Sequence, residues 1–300
     1  MSGYLAGIVQ MDSTADLAGN LDRIEFFVEK AAAAGARLVS LPETANLIAA
    51  DPAKAAETIP GPTTERLAAL ARRHGLWIHG GSLWEKEAGE RISPVPAEPL
   101  EHHGRPNEIK PPPGKPWNTT VLIDPEGKAV SRYQKLHLFD VEVEDGPSFR
   151  ESDHISPGQW MVRTDTEFGR FGFTICYDLR FPELFRLLAL GGAEVIFVPA
   201  CFTEATGRAH WEPLLRARAI ENGCYILAAA QCGLKPKYLA HGHSLAVSPW
   251  GEIIARQPEG EGLILAEIDL EAVKAARRQI PALANRRDDI YRLQGRFKNS

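Results

Sequence analysis

Three short stretches place reactive side chains where the chain would leave a β-sheet. In Gly172-Phe173-Thr174-Ile175-Cys176-Tyr177-Asp178-Leu179-Arg180-Phe181-Pro182-Glu183, the apolar run Phe171 to Ile175 reads as a buried strand. Phe181 to Leu190 reads as a helix with Pro182 in its first turn, so Cys176 falls on the bend between the two. A sulfur there can meet a carbonyl carbon, and the amide N–H groups opening the helix favour both a thiolate and a developing oxyanion. A free cysteine after an apolar strand is equally an ordinary small core residue. Ala36 to Leu41 is a second apolar strand; it ends in Pro42-Glu43, a carboxylate that serves either as general base or as a solvated terminus. In Tyr133-Gln134-Lys135-Leu136-His137-Leu138-Phe139, Lys135 sits among apolar residues, either snorkelling to the surface or desolvated and aimed at a site.

Other groups around these stretches carry less. Asp178, Arg180 and Glu183 crowd the strand end beside Cys176, where a ring of ion pairs would hold the bend rigid. His102-His103 have no cysteine or carboxylate at ligand spacing. His241 and His243 would point to opposite faces of a regular strand and could not share an ion; His243 is read as hydrogen-bonded in the Gly242 to Pro249 strand. His137 faces the same way as Lys135 in an extended segment and reads as a satisfied structural histidine. These residues imply no metal and no cofactor.

Together the three stretches resemble the nitrilase, or carbon–nitrogen hydrolase, superfamily, whose Glu-Lys-Cys triad lies in segments like Leu41-Pro42-Glu43, Tyr133 to Leu138 and Ile175-Cys176-Tyr177-Asp178. The resemblance runs from Ala6-Gly7-Ile8-Val9-Gln10-Met11 to Arg286-Arg287-Asp288-Asp289-Ile290-Tyr291, through Gly207 to Trp211, Arg216 to Asn222, Gly242-His243-Ser244 and Pro249-Trp250-Gly251. It implies an α/β fold, a four-layer α-β-β-α sandwich, and hydrolysis of a non-peptide carbon–nitrogen bond through a Cys176 thioester with release of ammonia. Glu43 would take the thiol proton, while the Lys135 ammonium and the Tyr177 amide N–H hold the oxyanion. Glu151, sixteen positions past the lysine, matches a second glutamate that positions lysine and substrate. Arg216 to Glu221, Ala228 to Gly233 and Gly242-His243-Ser244 resemble the Nit-type amidases, which include deaminated glutathione amidase and ω-amidase acting on α-ketoglutaramate. The substrate expected is therefore a carboxamide of a small carboxylate metabolite. An N-carbamoyl amine or aliphatic amide hydrolase, a thiol hydrolase with His210 or His243 as base, and a silent interaction protein are the rivals. Phe202 and Thr206, just past the strand ending at Pro199, are expected to line the substrate pocket. The resemblance also implies a homodimer or dimer of dimers in which the C-terminal tail crosses to the partner and the helices after Cys176 and around Trp211 to Ile220 lie near the two-fold axis.

The elements that must position these groups form two similar passes. Leu5 to Met11 is a strand, Leu17 to Ala34 an amphipathic helix closed by Gly35, and Ala36 to Leu41 a strand stopped by Pro42; Phe171 to Ile175, Pro182 to Leu190 and Glu194 to Val198 repeat that plan up to Pro199. Leu76 to Trp84 and Thr119 to Ile123 read as further strands, and Leu270 to Gln279 as a helix. The 300 residues, 44% hydrophobic and 24% charged, suffice for one domain of two such halves. The net charge of −5 argues against nucleic acid. Met1 to Met11 shows no basic region followed by a long apolar one, and no apolar run approaches the roughly eighteen residues of a membrane span. Cys176, Cys201, Cys224 and Cys232 lack disulfide-scaffold or zinc spacing; together these features place the chain in the cytoplasm. Arg91 to Trp117, with eight prolines, reads as a solvated surface loop or, alternatively, a lid or subunit contact.

Overall fold

Alternation along the first strand sets the layering. In the computed structural model, which describes residues 3–87, 114–142 and 148–299, β1 (Gly3–Gln10) sends Tyr4, Ala6 and Ile8 into one apolar cluster and Val9 into another. The chain continues through α1 (Leu17–Ala33), β2 (Leu38–Ser40), α2 (Pro52–Ala55), α3 (Pro62–His74), β3 (Trp77–His79), β4 (Leu83–Glu85), β5 (Trp117–Ile123) and β6 (Ala129–Gln134). A small hairpin, β7 (Asp140–Val141) and β8 (Phe149–Arg150), leads into β9 (Met161–Thr166), β10 (Gly169–Phe173), α4 (Pro182–Leu190), β11 (Val195–Phe197), α5 (Glu204–Thr206), α6 (Glu212–Asn222) and β12 (Tyr225–Ala228). A second hairpin, β13 (Cys232–Leu234) and β14 (Leu239–His241), precedes β15 (Leu245–Val247), β16 (Ile253–Arg256), β17 (Gly262–Asp269), α7 (Leu270–Gln279) and β18 (Phe297–Asn299).

Among the described residues these strands make two large sheets. One runs β17-β1-β2-β3-β5-β4 with β6 on β5, the other β16-β15-β12-β11-β10-β9-β18. In each, three consecutive strands pair in parallel, β1-β2-β3 and β10-β11-β12, with antiparallel strands outside them. Parallel neighbours need helical crossovers, and the crossovers cover the outer faces. Ile24, Phe27, Val28 and Ala31 of α1 and Leu67 and Leu70 of α3 pack on Val9, Val39 and Ile78. The close approach of α1 to β1 uses Gly7, where a Cβ would stand 3.1 Å from that of Ala31. Between the sheets, His79 stacks on Phe197 at 4.3 Å and Phe173 on Phe197 at 5.8 Å. His79 is wholly buried there, with its ring nitrogens bonded to the Ser40 and Thr120 hydroxyls, and burial lowers its pKa to about 3. The result is the expected α-β-β-α sandwich.

Several local boundaries differ from the sequence reading. Leu76 to Trp84 is two strands, because Gly80-Gly81 turns the chain. Gly81 has φ +65°, and a Cβ there would lie 2.0 Å from the Pro42 carbonyl oxygen, so only glycine fits against the Glu43-bearing loop. His241 and His243 do not point apart: left-handed Gly242 and His243 break the strand and stack the two rings at 4.1 Å. The His243 ring bonds back to the His241 carbonyl. Tail residues Phe297–Asn299 pair in parallel with Met161–Arg163 of the same chain, adding a strand beside β9. Ile280, Ile290 and Tyr291, before that strand, are exposed. Of the proline-rich segment, residues 91–113, including His102 and His103, lie outside the described residues.

Candidate active site

Glu43, Lys135 and Cys176 reach one cavity from three strand ends. Glu43 follows β2 by way of Leu41-Pro42, Lys135 directly follows β6, and Cys176 follows β10. All three are buried, and all three line a cavity of about 480 Å³ with Glu151, Tyr177, Cys201, Phe202 and Thr206 among its walls. Two of the supporting residues hold left-handed backbone that side chains beyond glycine rarely adopt: Cys176 at φ +49° and Thr44, next to Glu43, at φ +49°. Such conformations cost about 1–3 kcal/mol each and persist only where surroundings impose them. The Cys176 N–H donates to Pro199 O at 2.8 Å, and the Thr44 N–H to Ser82 Oγ at 2.9 Å. Gln231, from the second half, donates to the Glu43 carbonyl at 2.9 Å.

The charges are arranged around the lysine. Lys135 Nζ donates to Glu151 Oε2 at 2.8 Å and Oε1 at 3.0 Å, and lies 3.4 Å from Glu43 Oε1. Asn118 Nδ2 donates to the same Glu43 oxygen at 2.8 Å, and the Phe139 N–H donates to Glu151 Oε2 at 2.6 Å. Burial disfavours the ammonium, but Glu151, Glu43 and Cys176 outweigh it and hold the Lys135 pKa well above its usual value. Burial also raises the Glu151 pKa, opposed by Lys135. Cys176 departs from the sequence reading. Burial first, then the facing Glu43 carboxylate, push its thiol well above the usual range, while Lys135 and the Cys201 backbone N–H pull less strongly the other way. The helix opening does not yield a resting thiolate, since Cys176 starts a five-residue 3₁₀ turn, Cys176–Arg180, ahead of α4. The arrangement can instead pass the thiol proton to Glu43 as attack begins. That transfer leaves the net charge of the buried cluster unchanged, which suits a desolvated site.

The ring of ion pairs expected beside Cys176 is replaced by other bonds. Asp178 is fully buried and accepts from the Tyr133 hydroxyl, the Ile175 and His137 backbone N–H groups and His137 Nδ1. His137 is thus the satisfied structural histidine foreseen, its ring stacked on Phe181 at 3.6 Å. Arg180 lies over the Tyr177 and Phe202 rings with Nη1 3.1 Å from His210 Nδ1, and Glu183 is exposed. Arg180, Arg150 and Lys237 bring positive charge to the cavity walls. Phe202 packs on Trp211 at 4.9 Å, and Thr206 shares a hydroxyl contact of 2.9 Å with Thr203. Cys201 Sγ accepts from the Tyr238 hydroxyl at 3.1 Å, and burial pushes its pKa up to about 12. Among the described residues no group of three or more His, Cys, Asp and Glu side chains could hold a metal ion.

Asn118, Gln231 and the tie of Asp178 to Tyr133 were not singled out from sequence. The polar run Asn118-Thr119-Thr120 inside the otherwise apolar β5 was the available signal, since a buried strand carries such residues only where they find partners.

A family model described as carbon-nitrogen hydrolase matches residues 5–278. The chain is 40% identical over 291 residues to the deaminated glutathione amidase of Synechocystis sp., covering 95% of this chain and 99% of that protein. It is 34% identical over 301 residues to omega-amidase NIT2 of Homo sapiens, covering 98% and 99%. The solved structure of the C. elegans NitFhit protein superposes with a TM-score of 0.83 at 36% identity, over 100% of this chain and 69% of that one.

Proposed function

This chain belongs to the carbon–nitrogen hydrolase family, and from that premise we propose that it hydrolyses the amide of a small 2-oxo carboxylate, of the deaminated glutathione type, through a Cys176 thioester. One observation carries the reading: a single cavity holds a thiol, a carboxylate facing it, and an ammonium clamped by a second carboxylate. As the Cys176 sulfur attacks the amide carbon, its proton passes to Glu43. The oxyanion forms between the Lys135 ammonium and the Tyr177 N–H, in the opening turn where backbone amides lack helical acceptors. Glu43 returns the proton to the leaving nitrogen, then takes one from the water that splits the thioester and restores the thiol. Glu151 keeps Lys135 fixed through both steps. Phe202 and Thr206 wall the acyl group, and Arg180, which has no carboxylate partner among the described residues, receives the substrate carboxylate.

Deaminated glutathione and α-ketoglutaramate would acylate Cys176 with the same 2-oxoglutaryl group. They differ in what leaves, cysteinylglycine from the first and ammonia from the second. Of these two, only the ω-amidase reaction releases the ammonia implied by the sequence resemblance. The greater identity to deaminated glutathione amidase and the roomy cavity favour the larger leaving group. Release of 2-oxoglutarate reads both substrates on one scale, and we expect kcat/KM for deaminated glutathione to be at least about tenfold higher, the discrimination that one or two good contacts supply. No 2-oxoglutarate from either compound would overturn the reading.

The same proposal covers assembly and location. Ile220, Trp250, Ile280 and Ile290 are exposed apolar side chains on and near α6 and the tail, and a homodimer or dimer of dimers would cover them. Four free cysteines suit a reducing cytoplasm. No helix among the described residues is long and apolar enough to cross a membrane.

A further inference from the structure

The segment carrying Lys135 and the turn carrying Cys176 come from different sheets, and one carboxylate joins them. Asp178 Oδ2 accepts from the Tyr133 hydroxyl at 2.6 Å and from the Ile175 N–H at 2.8 Å. Its Oδ1 accepts from the His137 N–H at 3.0 Å and from His137 Nδ1 at 2.7 Å, which therefore carries a proton. Tyr133 and His137 bracket Lys135 two residues to either side, and Ile175 immediately precedes Cys176. The Tyr133 hydroxyl also accepts from the Leu136 N–H at 3.3 Å, so the tie grips the lysine segment on both flanks.

We infer that Asp178 is a positioning residue, the tie that fixes the Lys135 ammonium relative to the Cys176 sulfur. The inference rests on the roles proposed above for those two groups. An oxyanion donor works only within about 2.7–3.1 Å of the developing charge, and a misplacement of about 1 Å can cost on the order of a hundredfold in rate. A lysine on a flexible four-carbon stem reaches that precision only if its backbone is anchored to the nucleophile's own turn. Only a carboxylate accepts all four donors. In an asparagine either orientation of the amide turns its NH₂ against a backbone N–H, that of Ile175 or that of His137.

The test compares Asp178→Asn, Tyr133→Phe and the double variant, with Tyr225→Phe as a control that removes a buried hydroxyl bonded to the Asp269 N–H away from the site. Steady-state 2-oxoglutarate release gives kcat and KM per folded molecule, and the rate of Cys176 alkylation by iodoacetamide reports the site without reference to any substrate. Tyr133→Phe should lower kcat about tenfold and Asp178→Asn about a hundredfold, with KM within about threefold, because geometry and not binding is lost. In the Asn background the Phe change should add nothing further, as expected within one network. Tyr225→Phe should leave kcat unchanged. Either variant retaining kcat within twofold per folded molecule overturns the inference, and if Asp178→Asn does not fold, Tyr133→Phe alone decides. Should the parent protein turn over neither amide, the proposed function fails separately. The tie is then judged by alkylation, whose rate should change at least fivefold in Tyr133→Phe, an unchanged rate overturning it.

Discussion

Replacing Lys135 by Met keeps the apolar stem and removes the charge that three groups share. At an effective dielectric of about 20, contacts like those of Nζ with Glu151 at 2.8 Å and Glu43 at 3.4 Å are each worth about 5–6 kcal/mol before desolvation. Removing one partner of a buried ion pair costs about 3–5 kcal/mol net, because it strands the other charge. Here the stranded carboxylate has an escape. Burial already raises the Glu151 pKa above its unfolded value, and without the opposing lysine it rises further, so the variant's carboxyl takes up a proton. A group whose folded pKa exceeds its unfolded pKa holds more protons when folded, and its contribution is lost as pH rises through the folded value at about 1.4 kcal/mol per unit. The stability gap between parent and Lys135→Met should therefore be smaller at pH 5 than at pH 8. Rate behaves differently: kcat should fall at least about a hundredfold, the loss typical of one oxyanion donor, with KM much less affected. Lys135→Arg should be nearly as slow, since a planar guanidinium cannot sit at the lysine's point between two carboxylates. Urea unfolding at pH 5, 6.5 and 8, with 2-oxoglutarate release at each, measures both. A gap independent of pH, or a Met variant within tenfold of parental kcat, would refute the reasoning.

His79 supplies an acid limb. Its folded pKa, about 3, lies below the ordinary imidazole value of 6.5, so the unfolded chain binds the proton first and stability falls by about 2 kcal/mol from pH 6.5 to 5. His79→Gln, which cannot charge, should show a limb flatter by that amount; an unchanged limb would count against it. Arg180→Gln should raise KM for the 2-oxo amides about tenfold or more with kcat within threefold, as for loss of one charged hydrogen bond. An unaltered KM would remove Arg180 from the substrate. Cys201→Ser should keep kcat within about threefold, because its sulfur is engaged by the Tyr238 hydroxyl and it is Cys176 that Glu43 faces; an inactive variant would reopen that choice. Ending the chain at Gln279 should reduce the mass seen by light scattering from a dimer or larger toward a monomer, and an unchanged mass would assign the interface elsewhere.

How much of this was legible in the residues depended on range. Glu43, Lys135 and Cys176 stood out because each is a reactive group embedded in a short apolar stretch at a strand end, a local pattern. The parallel halves were legible for the same reason, in runs stopped by Pro42 and Pro199. The groups that hold the site were not. Asn118 meets Glu43 only through the registers of β2, β3 and β5, and Asp178 meets Tyr133 across two sheets, relations that no single segment contains. Burial was the other blind spot. The bend at Cys176 suggested a thiolate, but its state depends on how completely Glu43 and the cavity walls desolvate it. Backbone sign misled at His241 and His243, where left-handed Gly242 and His243 stack rings that a regular strand would separate. The tail's return to β9 was hidden because Phe297–Asn299 is too short a run to announce a strand.

The central claim is that acyl transfer passes through the sulfur of Cys176. It is tested most directly by mixing enzyme and deaminated glutathione, quenching in acid during turnover, and measuring the intact mass and the Cys176 peptide. The account predicts a transient fraction of chains carrying one 2-oxoglutaryl group on Cys176, absent from an inactive Cys176→Ala and far slower to form in Glu43→Gln, which lacks the base for both steps. Turnover by Cys176→Ala, or an acyl group borne on Cys201 or any other side chain, would contradict it.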